Sequence, residues 1–171
     1  MVKRLVIALG VIVFAAAAWA HSSPVALPAG TVADRVVVSK SERLLTLYLK
    51  NQPIRTYRVA LGSHPVGPKQ QEGDGRTPEG SYVLDYRNAK SAFHLSLHVS
   101  YPSPADSARA RERSVNPGGL IMVHGLPNRL GFLGSFHTLR DWTDGCIAVT
   151  DSEIEEIRRV VPDGTPIALN P

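Results

Sequence analysis

Residues 93–101, FHLSLHVSY, alternate without a break. Phe93, Leu95, Leu97, Val99 and Tyr101 fall on one face, and His94, Ser96, His98 and Ser100 on the other. A period of two is that of a strand with one buried face, so the stretch predicts a sheet that covers a core. The same texture recurs upstream. In DRVVVSKSERLLTLYLKNQPIRTYRVALG, the runs Val36–Val38 and Leu44–Leu49 are apolar, and Leu45, Leu47 and Leu49 alternate with Thr46, Tyr48 and Lys50. NQP marks a turn before the next strand, IRTYRVAL, which gives a β-meander. SYVLDYR, LIMVHG and TPIALN add three more strands.

Between them, residues 63–80 are rich in Gly, Pro and charge and predict a long loop. Asp74 and Arg76 are placed to pair within it. SPADSARARERS predicts a short polar helix capped by Ser103 or Asp106. DSEIEEIRRVV predicts the best helix, capped by Asp151 or Ser152, with acids early and Arg158 and Arg159 late, as the helix dipole favours. The expected fold is mostly β, a β-rich α+β domain with one or two short helices.

The N-terminus predicts export. Lys3 and Arg4 precede the uncharged apolar run Leu5–Ala17, and Ala18-Trp19-Ala20 places small residues where a signal peptidase reads. Residues 1–20 are read as a signal peptide, 21–32 as a linker and 33–171 as one domain. The apolar run is shorter than the roughly 20 residues of a spanning helix, although a retained N-terminal anchor is the other reading. A net charge of +4, two units of it from Lys3 and Arg4, is too mild to argue for nucleic acid. The expected location is the periplasm, and the expected state a monomer.

The chain has one cysteine, Cys146. An exported domain of this kind cannot form a disulfide within itself, so its fold rests on its core. A lone thiol in that setting is an inert core residue, half of an intermolecular bridge, or a nucleophile. Gly145 permits close backbone approach, and the N–H groups of Gly145 and Cys146 are placed to form an oxyanion hole. A nucleophilic thiol needs a base. His124, at the end of an apolar strand and followed by Gly125, ranks first, and His137 second. His94 and His98 would lie about 13 Å apart on a strand, too far to share one metal ion, and no HExxH or second Cys accompanies them. No G-x-S-x-G elbow and no P-loop occur. No cofactor is expected.

The segments GDGRTPEGSYVL, FHLSLHVSYPSPAD, NPGGLIMVHGLPN and RDWTDGCIAVTDSEIEEI, in this order, resemble the L,D-transpeptidase catalytic domain family, also called YkuD. The DWTDGCIAVT form resembles the Gram-negative subgroup that contains YafK-type proteins. The likeness runs from about Val36 to the C-terminus. It implies a β-sandwich of mixed sheets with the active-site cysteine in a cleft. It implies cross-linking of peptidoglycan, with attack on meso-diaminopimelate at its bond to the terminal D-Ala of a tetrapeptide stem. The acyl group would pass to an amine on a second stem, on an outer-membrane lipoprotein or of a D-amino acid.

Carried over residue by residue, Cys146 is the nucleophile and His124 its base. The Gly125 carbonyl orients the ring, Gly145 and the Cys146 N–H belong to the oxyanion region, and Thr143 fills the usual Ser/Thr position. Asp144 stands where the family commonly has a basic or imidazole side chain, and Ala148 where many members carry Arg or Asn. Arg140 is the replacement candidate for the missing carboxylate contact. His137, Asp144 and His94 are the remaining substrate-contact candidates. The stretch RLGFLGSFHTLR is longer than in many members and predicts a lid or altered cleft wall. Two other outcomes are carried forward. One is an L,D-endopeptidase or amidase in which water resolves the thioester, and the other is a non-catalytic wall-binding domain.

Overall fold

The structure, a computed structural model, describes residues 26–171. Residues 1–20, read as a signal peptide, and 21–25 of the stretch read as a linker lie outside the described residues. The last linker residues pack down: Leu27 rests against the core, and its N–H donates to Glu156 at 2.9 Å.

Strands β1 (Arg35–Ser39), β2 (Leu44–Leu49) and β3 (Gln52–Arg58) form the antiparallel meander. Val36, Val38, Leu45 and Leu47 alternate inward and are fully buried, which is what the period-two pattern requires. The remaining strands are β4 (Gly80–Asn88), β5 (Ser96–Val99), β6 (Met122–His124), β7 (Ile147–Ala148) and β8 (Thr165–Asn170), in the spatial order β3-β2-β1-β8-β4-β5-β6-β7. The sheet is mixed: β1–β8 and β6–β7 are parallel and the other pairs antiparallel. The C-terminal strand therefore sits in the middle and joins the meander to the half that carries His124.

The two edges of this sheet meet. Past β3, the Ala60 N–H donates to the Ala148 carbonyl at 3.0 Å and the Ala60 carbonyl accepts the Ala148 N–H at 2.9 Å; the Leu61 carbonyl takes the N–H groups of Trp142 and Thr143, each at 3.1 Å. The layers of the expected sandwich are thus one eight-stranded sheet curled onto itself. Closure also pairs edges that would otherwise stay open.

Two helices cover the outside. α1 (Pro104–Glu112) starts at Ser103, whose hydroxyl accepts from Asp106 N–H while the Asp106 carboxylate accepts from Ser103 N–H. α2 (Asp151–Val160) buries Ile154, Ile157 and Val160 on one face, against β5 and β6. Its cap is Thr150, not Asp151 or Ser152. Thr150 still has extended backbone angles, and it exchanges hydrogen bonds with Glu153 three residues on. No helix among the described residues is long and apolar enough to cross a membrane.

The strand read over 93–101 is interrupted. His94 has φ +60°, its N–H donates to Asn128 Oδ1 at 3.0 Å, and β5 begins only at Ser96. The kink resets the alternation. Leu97 and Val99 keep the core face, while Phe93 is freed from it.

Candidate active site

Parallel pairing of β6 and β7 sets the site. Val123 lies opposite Ile147 and His124 opposite Ala148, so one step back Met122 lies beside Cys146. Val123 and Ile147 point into the core and are fully buried. Alternation sends His124 and Cys146 to the other face. Their backbones are one strand spacing across and two residues along, a diagonal of about 8 Å. Both line one cavity of about 320 Å³, with Phe93, Ser96, Leu120, Met122, Trp142 and Asp144 in its wall.

His124 is 3% exposed, and its Nδ1–H donates to the Gly125 carbonyl at 2.6 Å. A proton held on Nδ1 leaves the lone pair on Nε2. Phe93 packs on the ring at 4.5 Å between centroids, and Trp142 meets it edge-on at 5.8 Å. Burial lowers the pKa of His124 to about 4; the Gly125 bond opposes this and nearby His137 adds to it. At neutral pH the imidazole is neutral and able to accept a proton.

Cys146 is half-buried, with its thiol 3.6 Å from the Leu120 carbonyl. Burial pushes the thiol up from its ordinary value. A bond to the Met122 backbone lowers it, Asp144 raises it and Lys69 lowers it again, with a net upward shift. The resting pair is therefore a neutral thiol beside a neutral imidazole, rather than thiolate and imidazolium.

The turn before Cys146 is clamped by Thr143. Its hydroxyl donates to the Cys146 carbonyl at 2.8 Å and accepts the Gly145 N–H at 3.1 Å. The Gly145 N–H, one of the two donors named for an oxyanion hole, is thus engaged within the chain. The close approach at Gly145 comes from the protein itself. Its φ is +127°, and an added Cβ would lie 2.5 Å from the Arg76 carbonyl oxygen.

That carbonyl belongs to the GDGRTP loop, which is packed behind the nucleophile turn. Thr77 is fully buried, and its hydroxyl accepts from Gly62 N–H at 3.0 Å. Asp74 pairs with Lys69 at 2.8 Å, not with the Arg76 side chain, and also takes the N–H groups of Gln70, Gln71 and Arg76. Burial pushes the Asp74 carboxyl up, but these bonds outweigh it and hold the pKa below the ordinary value. Lys40, 2% exposed, ties the loop to β1 through Glu79 and the carbonyls of Gly67 and Thr77.

The structure does not bring every predicted residue to this cavity. The positive φ of His94 turns its ring onto α2, where it bonds Glu155 at 2.8 Å, while His98 bonds Asp85 at 2.7 Å. The two histidines face different carboxylates. Among the described residues no group of three or more His, Cys, Asp or Glu could hold a metal ion. His137 and Arg140 line a separate groove on the far side of Trp142, so neither faces Cys146. Asp144 is exposed and does line the cavity. The wall residues Phe93, Ser96, Leu120, Met122 and Trp142 escaped the sequence reading. Phe93 and Ser96 have opposite parity and share a wall only because of the kink at His94.

The family model described as the YkuD L,D-transpeptidase catalytic domain matches residues 33–169. YafK of Escherichia coli (strain K12) is 29% identical over 132 residues, covering 74% of this chain and 46% of YafK. The crystal structure of the helical cell shape determining protein Pgp2 from Campylobacter jejuni aligns with TM-score 0.64 at 23% identity, over 82% of this chain and 48% of that one. An L,D-transpeptidase from Mycobacterium smegmatis aligns with TM-score 0.54 at 14% identity, over 81% of this chain and 59% of that one. The chain spans about half the length of the curated relative YafK. The structural likenesses concern the fold.

Proposed function

Since the chain belongs to the YkuD family of L,D-transpeptidase catalytic domains, we propose that it is an exported, periplasmic cysteine acyl-transferase acting on peptidoglycan stem peptides. The observation that carries this is the shared cavity of Cys146 and His124, with Nδ1 of the imidazole engaged by Gly125 and Nε2 left to accept a proton.

In the proposed step, His124 Nε2 takes the thiol proton as Cys146 Sγ attacks the carbonyl of the third stem residue. This is general-base activation of a protonated thiol, as the raised thiol pKa and lowered imidazole pKa require. The Cys146 N–H donates to the oxyanion of the tetrahedral intermediate. On collapse, the C–N bond to D-Ala breaks and His124 returns the proton to the leaving amine. A thioester remains on Cys146. An incoming amine then attacks it and gives its proton to His124, and the sulfur departs and is reprotonated.

Water in place of the amine gives the hydrolase outcome. Asp144 favours keeping that second reading, because its carboxylate occupies the cavity wall where many family members have a basic group. The deciding test is incubation of the chain with purified disaccharide-tetrapeptide and a D-amino acid, read by mass, with Cys146→Ala alongside. Loss of D-Ala with incorporation of the amino acid, absent in Cys146→Ala, supports the transferase. Loss of D-Ala alone assigns the hydrolase. Turnover retained by Cys146→Ala rejects both.

A further inference from the structure

Ten large apolar side chains are exposed among the described residues, and five of them lie within ten residues: Leu130, Phe132, Leu133, Phe136 and Leu139. Phe132, Phe136 and Leu139 are 80%, 72% and 82% exposed. They belong to a 3-10 segment, Gly131–Leu139, kinked at Gly134. A patch so concentrated marks an interaction surface. The segment is bracketed by two exposed cations, Arg129 and Arg140, and no Asp or Glu occurs from Pro127 to Arg140. Two neighbouring carboxylates, Asp141 and Asp151, are engaged by the protein itself. Asp141 is held by Arg43 at 2.9 Å and by Leu61 N–H, and Asp151 accepts from Leu126 N–H.

We propose that this segment docks onto an anionic phospholipid bilayer. Phe and Leu side chains flanked by arginines are the chemistry of an interfacial segment, whose apolar face enters the headgroup boundary while the cations meet phosphates. The size of the patch favours a bilayer over a second copy of the chain. Even without the kink at Gly134, nine residues at about 2 Å rise would form a strip no more than about 18 Å long. Such a strip covers a few hundred Å², against the roughly 800 Å² per partner of a stable protein interface. A bilayer needs no matching relief. Trp142 lines both the Cys146 cavity and the groove beneath the segment, so docking would hold the cleft beside the membrane surface. The docking does not depend on which acyl-transfer outcome holds.

The test uses the full chain with Phe132→Trp, mixed with phosphatidylcholine/phosphatidylglycerol vesicles whose acyl chains carry bromine. The unsubstituted chain supplies the background from Trp19 and Trp142. A site-specific probe is needed because the Leu5–Ala17 run can itself bring the chain to vesicles. Quenching of the added Trp well above background is expected. Arg129→Glu/Arg140→Glu should weaken it several-fold, as should 0.5 M NaCl. Quenching no greater than background, with the chain sedimenting with the vesicles, would overturn the proposal. Equal quenching on phosphatidylcholine alone would overturn its anionic part. Lipid-free dimerisation abolished by Phe132→Ser/Phe136→Ser, without quenching, would assign the face to a second copy.

Discussion

Residues 63–79, between β3 and β4, are tied to distant parts of the fold: Lys40 reaches in from β1, Thr77 holds Gly62, and the Arg76 carbonyl packs on Gly145. Residues 129–140, in the link between β6 and β7, bond within that link, while its ends are tied outward through Leu126 to Asp151, Asn128 to Ala92, and Asp141 and Trp142 to Leu61. Leu130 N–H meets Pro127, Leu133 N–H meets Leu130, and the Thr138 hydroxyl meets Ser135. Both ring nitrogens of His137 and the Trp142 Nε1 are buried without a partner. The first loop is a wedge that fixes the nucleophile turn. The second is a local structure with its apolar side chains outside. The nucleophile turn is thus backed by a segment held by the whole fold, while the segment lining the neighbouring groove is held by its own turns. Rigidity is needed behind the sulfur, where displacement of a reacting group by about 1 Å can cost a hundredfold in rate.

The largest effect should come from the wedge. In Gly145→Ala, a Cβ would meet the Arg76 carbonyl and a strained backbone angle. The expected cost is about 3 kcal/mol by denaturant unfolding, with acyl-transfer activity lost. Unchanged stability would mean the wedge yields freely. Lys40→Met leaves Glu79 and two carbonyls unsatisfied, and about 3 kcal/mol of destabilisation is expected. A neutral result would break the account of the loop as anchored from β1.

Acid should act through the buried imidazole. The folded pKa of His124, about 4, lies below the 6.5 of the unfolded chain, so the unfolded state binds the proton first as pH falls. Stability is whole above about pH 6.5 and declines down to about pH 4, by about 3 kcal/mol for this group. His137, also lowered by burial, acts in the same direction. Unfolding curves between pH 4 and 7.5 should show this decline flattened in His124→Gln. Parallel curves for the two chains would count against the buried neutral ring.

The smallest effects belong to the second loop. Phe136→Ser and Leu139→Ser remove exposed side chains and should change stability by no more than about 0.5 kcal/mol. A larger loss would show that this segment is packed after all. Asp144→Asn removes a charge that raises the thiol pKa, so alkylation of Cys146 at neutral pH should accelerate modestly. No change would place the carboxylate out of electrostatic reach.

Local pattern carried far in this chain. The alternation of Leu45 and Leu47, the charge pattern of the helix that became α2 and the lone Cys146 after a glycine were readable one segment at a time. What was not readable depends on distance. Ala60 meets Ala148 across 88 residues to close the sheet, and nothing local to either alanine announces it. The parallel register that puts His124 diagonal to Cys146 is likewise a tertiary fact. The turn at His94 needs Asn128 and Glu155, which lie far along the chain, and it alone frees Phe93 to wall the cleft. His137 shared its residue type with a base, but the kinked 3-10 segment carries it behind Trp142.

The most direct test is intact-mass analysis of the chain exposed to a carbapenem, a strained lactam whose opening by Cys146 would leave a stable acyl-enzyme. One adduct on the native chain is predicted, with none on Cys146→Ala and formation on His124→Ala slowed about a hundredfold or more. An adduct that persists in Cys146→Ala, or forms unslowed without His124, would contradict a catalytic pair built on β6 and β7.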